Sequence, residues 1–126
     1  SNATFEMGLL EESDWLAKWI GGDYKPKKKE RYPVDCFKKD FQTKKEIQKA
    51  RLYASARGLY DVCLNGSRLT DFILAPGMTD YRKRIQYQTY DVTGLLQDKN
   101  YVWQTAGIVA AVQLMARPMY MAVRPA

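Results

Sequence analysis

At 126 residues, 46% hydrophobic and 27% charged, the chain has the length and composition of one ordinary globular domain with one modest core. Histidine is absent. That removes Ser/His/Asp and Cys/His nucleophile arrangements and zinc motifs of the HExxH kind, so any enzyme reading has to rest on Asp, Glu, Lys or Tyr. The net charge of +6 invites nucleic acid as a partner, but much of it sits in KPKKKER, Lys25 to Arg31, a charge block beside a proline that reads as a solvated loop.

Residues 1–3, SNA, look like a cleavage scar and are set aside. The lead-in, residues 4–24, carries DWLAKWIGG. Its Trp15, Ala17 and Trp19 alternate as in a strand, while the i, i+4 tryptophans behind Ser13-Asp14 equally suit a short capped helix. Gly21-Gly22 ends the segment in both cases. Residues 25–100 form the expected core of the domain. Within CFKKDFQT a strand is expected with Phe37 and Phe41 on its core face.

In KARLYASA, Ala50, Leu52, Ala54 and Ala56 share one face and Arg51, Tyr53 and Ser55 the other. Tyr60, Val62 and Leu64 then alternate with Asp61, Cys63 and Asn65. Asn65-Gly66 between two such runs signals a hairpin, because both residues accept the positive φ of a type I′ turn. Pro76-Gly77 marks a second turn. In RKRIQYQTYDV, Ile85, Tyr87 and Thr89 lie on one face, and Arg84, Gln86 and Gln88 on the other. That is the period of a half-buried antiparallel strand, which makes its tyrosines cross-strand packing rather than a stacking platform. Short strands with regular turn signals predict an all-β fold, an antiparallel β-sandwich of the jelly-roll, galactose-binding-like kind.

Cys36 and Cys63 form no CxxC pair and read as two buried free thiols or, alternatively, a disulfide, which leaves the compartment open. No segment reaches the ~18 uninterrupted apolar residues of a membrane-spanning helix, so no membrane partner is expected.

ARLYASARGLYDVCLNGSRLTD followed by LAPGMTDYRKRIQYQTYDVTGLL, with WLAKWIG upstream, resembles the N-terminal β-sandwich domain of bacterial α-L-rhamnosidases, glycoside hydrolase family 78. The resemblance covers roughly residues 13 to 100 and rests on the order, spacing and density of these stretches. It implies that hydrolysis of terminal α-L-rhamnose belongs to a separate (α/α)-barrel domain. There one carboxyl protonates the leaving oxygen and a second activates water, held ~6.5–9.5 Å apart for inversion. The acids of this chain, such as Asp61, Asp71, Asp80 and Asp91, lie at strand ends and turns and offer no such pair. The expectation is therefore a non-catalytic accessory domain that supports or recognises rhamnose-bearing glycans. A purely structural domain packed on the barrel is the alternative, and a nucleic-acid-binding domain using Lys25 to Arg31 and the Arg82–Arg84 strip ranks last.

In some relatives a jelly-roll domain binds L-rhamnose with calcium. No DxDxD-like cluster is present here and the family's calcium ligands map to no position, so no cofactor or metal is expected. If sugar binds, PGMTDYRKR offers Asp80 and Arg84 for hydroxyls and Tyr81 for the ring. The competing reading is a surface turn with a local salt bridge.

Residues 101–126 depart from the family, being free of charge from Tyr101 to Ala116. The run Val102 to Ala110 can be back-translated so that the neighbouring frame spells LADGWYRG, as in relatives. The expectation is a frameshifted tail on a truncated rhamnosidase fragment, separated from its catalytic domain. Tyr101, Val102 and Trp103 would replace a family strand, and Ile108 to Met115 would form an apolar segment that drives self-association.

Overall fold

In the computed structural model, residues 3, 5–25, 27, 33–43, 46–71 and 73–107 and the backbone of 109–118 are described. Among the described residues there are seven strands: β1 (Asp35–Gln42), β2 (Ile47–Arg57), β3 (Tyr60–Leu64), β4 (Ser67–Arg68), β5 (Tyr87–Asp91), β6 (Lys99–Ala106) and β7 (Val109–Pro118). They form a four-stranded sheet in the order β1-β6-β3-β4 and a three-stranded sheet in the order β5-β2-β7. All neighbours pair antiparallel. The expected β-sandwich is the fold observed.

Strand β2 is the wall between the layers. Ala50, Leu52, Ala54 and Ala56 are buried on its inner face, as their alternation predicts. Three alanines there let the second sheet approach, and Tyr60, Val62 and Leu64 of β3, Val92 and Ala106 fill the space around Leu52. Phe37 and Phe41 of β1 and Val102 of β6 pack at the margin of this core. The outer face of β2 is covered as well, since Tyr53 and Ser55 are buried. A residue-by-residue register fixes β2 between β5 and β7, with Leu52 opposite both Tyr90 and Leu114. The β3–β4 hairpin turns at Asn65 (φ 51) and Gly66 (φ 83), the two positive φ angles of a two-residue type I′ turn.

Several expectations are corrected. Neither a strand nor a capped helix contains Trp15 and Trp19. Among its described residues the lead-in makes a 3₁₀ turn at Glu12–Asp14 and a single β-bridge at Ile20, and in that turn Asp14 Oδ2 accepts from the backbone N–H groups of Leu10 and Glu11 (3.3 and 3.2 Å). Side-chain capping folds back on the preceding residues, so there is nothing to propagate a helix forward. Strand β5 begins at Tyr87, later than the alternation suggested, because Gln86 O is taken by the Ser55 hydroxyl at 2.6 Å. Both cysteines are free, but Cys36 is exposed on an edge strand rather than buried.

The apolar run after Asn100 enters both sheets. Residues Lys99–Ala106 make β6, a central strand between β1 and β3, and Val109–Pro118 make β7. Ser1, Asn2, most of the basic block (Pro26 and Lys28 to Arg31), Ile108 and residues 119–126 lie outside the described residues, as do the side chains of β7.

Leu52 is among the largest fully buried side chains and touches the centre of the core. Leu52→Ala is expected to cost about 2–5 kcal/mol, seen as a lower urea midpoint at unchanged slope.

Candidate functional site

Three surfaces carry chemistry. The first is the turn singled out from sequence. The Asp80 carbonyl accepts from the N–H groups of Lys83 and Arg84 (both 2.9 Å), closing a tight turn. The Asp80 carboxylate takes Arg82 as its partner, not Arg84, through Nε at 3.1 Å and the Arg82 backbone N–H at 3.2 Å. Arg82 beside it holds the Asp80 carboxyl below its ordinary range. The Tyr81 hydroxyl accepts from the Gly58 N–H at 2.8 Å and ties this loop to the β2–β3 turn. Arg84 stands exposed. Asp80, Tyr81 and Arg84 thus adjoin in sequence, but the two with resolved side-chain partners hold the local fold.

The second surface is the lead-in, which runs as a strap across the outer face of the three-stranded sheet. Tyr87 of β5 stands between Trp15 and Tyr53, with ring centroids 5.8 Å away on each side. Its hydroxyl accepts the Leu9 N–H at 3.2 Å, and a Cβ on Gly8 would come within 2.7 Å of that oxygen, so only glycine passes here unhindered. Glu6 pins the start of the strap. It receives Lys49 at 3.0 Å and Arg51 at 2.7 Å, and Arg51 also reaches Asp91 at 2.8 Å. Arg57 lies over the Trp19 ring at 5.7 Å. The strap turns a ridge of large apolar side chains to solvent: Phe5, Met7, Leu10, Leu16, Trp19 and Ile20, the least of them 40% exposed.

The third surface is the outer face of the four-stranded sheet. In β6, Asn100, Gln104 and Ala106 are buried and Val102 packs on the core, which sends Tyr101, Trp103 and Thr105 outward. Trp103 sits in a row with Lys38 and Cys63, and Cys63 in turn lies beside Arg68. Lys38 pairs with Asp40 at 3.2 Å and lies over the Tyr101 ring at 5.3 Å. Arg68 pairs with Asp61 at 2.9 Å. Asp61 also accepts from the Val62 N–H at 3.0 Å and the Thr70 hydroxyl. Burial raises the Asp61 pKa, yet these hydrogen bonds outweigh it and leave the carboxyl lowered. Burial and then the Asp61 charge push the Cys63 thiol up, so it stays protonated.

Every described carboxyl with a displaced pKa, namely Glu6, Asp61, Asp80 and Asp91, is displaced downward. A proton donor to a glycosidic oxygen needs the opposite shift. Among the described residues no group of three or more His, Cys, Asp or Glu comes together as a metal-ligand set. The strap anchors and the outer-face aromatics were missed in the sequence. Alternation through Tyr101, Trp103 and Thr105 was the available signal for the latter; nothing local pairs Glu6 with Arg51.

The strap should respond to acid. Glu6 is lowered first by hydrogen bonds from Lys49 and Arg51, and Asp91 first by Thr93. Carboxyls depressed in the fold contribute stability above their unfolded values and lose it as pH falls through the lower folded ones. The Trp15 indole signal is therefore expected to hold constant at neutral pH and move toward a solvent-exposed value below the ordinary carboxylate range. In Glu6→Gln the same displacement should already be visible at neutral pH.

The model of the "Alpha-L-rhamnosidase N-terminal domain" family matches residues 45–113. An α-L-rhamnosidase of Formosa agariphila is 41% identical over 102 residues, which cover 74% of this chain and 11% of that protein. The solved native α-L-rhamnosidase of Aspergillus terreus superposes with a TM-score of 0.83 at 26% identity, over 94% of this chain and 17% of the other. The Streptomyces avermitilis α-L-rhamnosidase, solved in complex with L-rhamnose, superposes at 0.65 with 34% identity, over 71% of this chain and 11% of the other. The relatives are thus several times longer than the matched piece. The aligned strands and the family match over the sandwich leave one assignment: this chain belongs to the α-L-rhamnosidase N-terminal domain family.

Proposed function

We propose that the chain is a non-catalytic accessory domain of an α-L-rhamnosidase, supporting the hydrolytic part of the enzyme and recognising rhamnose-bearing glycans. One observation carries the supporting role. The strap is fixed to the sheet by the Tyr87 stack and the Glu6 ion pairs, while its apolar ridge faces solvent. A surface that is both anchored and apolar suits contact with another protein body, because the path of its backbone is already set within the domain. The downward-shifted carboxylates support a role without acid catalysis. For recognition, the turn at Asp80, Tyr81 and Arg84 is one place where hydroxyls could be met, although its Asp80 and Tyr81 groups already have partners within the fold.

A chimera tests this reading. The Formosa agariphila enzyme, with this chain in place of its matched segment, is expected to release product from an aryl α-L-rhamnoside, and the chain alone is expected to release none. Substituting Leu10, Leu16 and Ile20 together by serine should lower the melting temperature of the chimera by several degrees and leave that of the isolated chain unchanged. Hydrolysis by the isolated chain, or an equal melting temperature for the chimera and its triple variant, would contradict the proposal.

A further inference from the structure

The outer strand of a sheet turns the N–H and C=O of alternate residues away from its single neighbour, which leaves a row of unpaired backbone groups. Among the described residues the two sheets have their edges at β1, β4, β5 and β7. Three of these are blunted. Strand β4 is two residues long. Strand β5 has five residues and ends on Asp91, whose carboxylate is paired with Arg51 at 2.8 Å. Strand β1 carries Asp35, Lys38, Lys39 and Asp40 among its eight residues. Its Lys39 stands in the same row as Phe37 and Phe41, which pack on the core, so a further strand there would have to bury a charge. Strand β7 has none of these devices. Its ten residues carry no charge from Val109 to Ala116, and its one proline is the last residue. One side of it is paired with β2 from Arg57 to Ile47, and among the described residues the other side has no strand.

Length and charge select the occupant. Ten residues extend about 33 Å, room for a second ladder like the one β7 already makes with β2. A strand can pair antiparallel with its own copy about a twofold axis normal to the sheet, residue i opposite j and j opposite i, provided that like charges do not meet. With that axis at Val112, Val109 stands opposite the partner's Met115, Ala110 opposite the partner's Leu114 and Ala111 opposite the partner's Gln113. Arg117, the one charged residue of β7, falls outside the overlap. We propose that β7 pairs with β7 of a second copy of this chain and joins two three-stranded sheets into one of six strands, in the order β5-β2-β7-β7-β2-β5. The assembly closes as a dimer, because the pairing uses β7 in both copies and leaves the blunted β5 edges at its ends. It is separate from docking through the strap, since β2 stands between this edge and β5, whose Tyr87 holds the strap.

Sedimentation equilibrium of the chain, with paired charge variants at Ala111 and Gln113, is the test. The parent is expected at twice the monomer mass at high micromolar concentration and to dissociate on dilution. Ala111→Lys/Gln113→Lys sets lysines opposite one another twice and should weaken the dimer about tenfold or more. Ala111→Lys/Gln113→Glu sets opposite charges together and should dimerise as the parent does. So should the chain with Leu10, Leu16 and Ile20 changed to serine, because the strap takes no part in the contact. Thermal melts show whether each variant is folded. Should the two charge variants fail to fold, amide exchange of the parent decides: β7 amides are expected to exchange more slowly at high than at low concentration, and equal rates would overturn the inference. A parent that stays monomeric, or equal dimerisation of two folded charge variants, would overturn it as well. Loss of the dimer in the serine variant would also overturn it, and would place self-association on the strap.

Discussion

The structure depends on β2 being buried on both faces. Inward it offers Ala50, Leu52, Ala54 and Ala56 to the opposing sheet, and outward it holds Tyr53 and Ser55 beneath cover. A strand with one solvated face would need only a partner sheet; here Tyr87 of β5 covers Tyr53 and is itself covered by Trp15 of the lead-in. The same strand supplies Lys49 and Arg51, the cations that hold Glu6. Core, strap and strap anchor therefore converge on one eleven-residue element.

The carboxylates tell a consistent story about what the domain does. Asp61, Asp80 and Asp91 each accept a backbone N–H within two residues, and each has a cation beside it. Such groups are ionised at neutral pH and stay so. They orient turns and strand ends, and in the case of Asp61 they order the edge of the outer face. Chemistry at a glycosidic bond calls for a carboxyl kept protonated by an apolar or like-charged setting, and the settings of these three are the reverse. Among the described residues, an apolar ridge lies over one sheet.

Much of the fold was legible because it is local. The alternation in KARLYASA and in Tyr60 to Leu64, and the Asn65-Gly66 turn, are consequences of strand period and backbone torsion, and the structure has each of them. The lead-in was not legible, since Trp15 and Trp19 fit a helix or a strand equally well and their actual partners, Tyr87 and Arg57, come from distant strands. At the candidate turn, residue type picked out Asp80, Tyr81 and Arg84, but which groups are engaged was decided by tertiary neighbours, Gly58 above all. In the tail, Tyr101, Val102 and Trp103 were expected in the place of a family strand, and they fall in β6, a central strand whose outward residues include Trp103. Which of its faces turns inward was hidden, because the buried positions include the polar Asn100 and Gln104.

Amide hydrogen exchange, compared between the isolated chain and the same chain joined to the hydrolytic part of the Formosa agariphila enzyme, tests the account most directly. It predicts that the amides from Leu10 to Ile20 become protected on joining, while those of β1 and β6 exchange as before. Protection centred on β1 and β6, with the strap unchanged, would contradict docking through the strap.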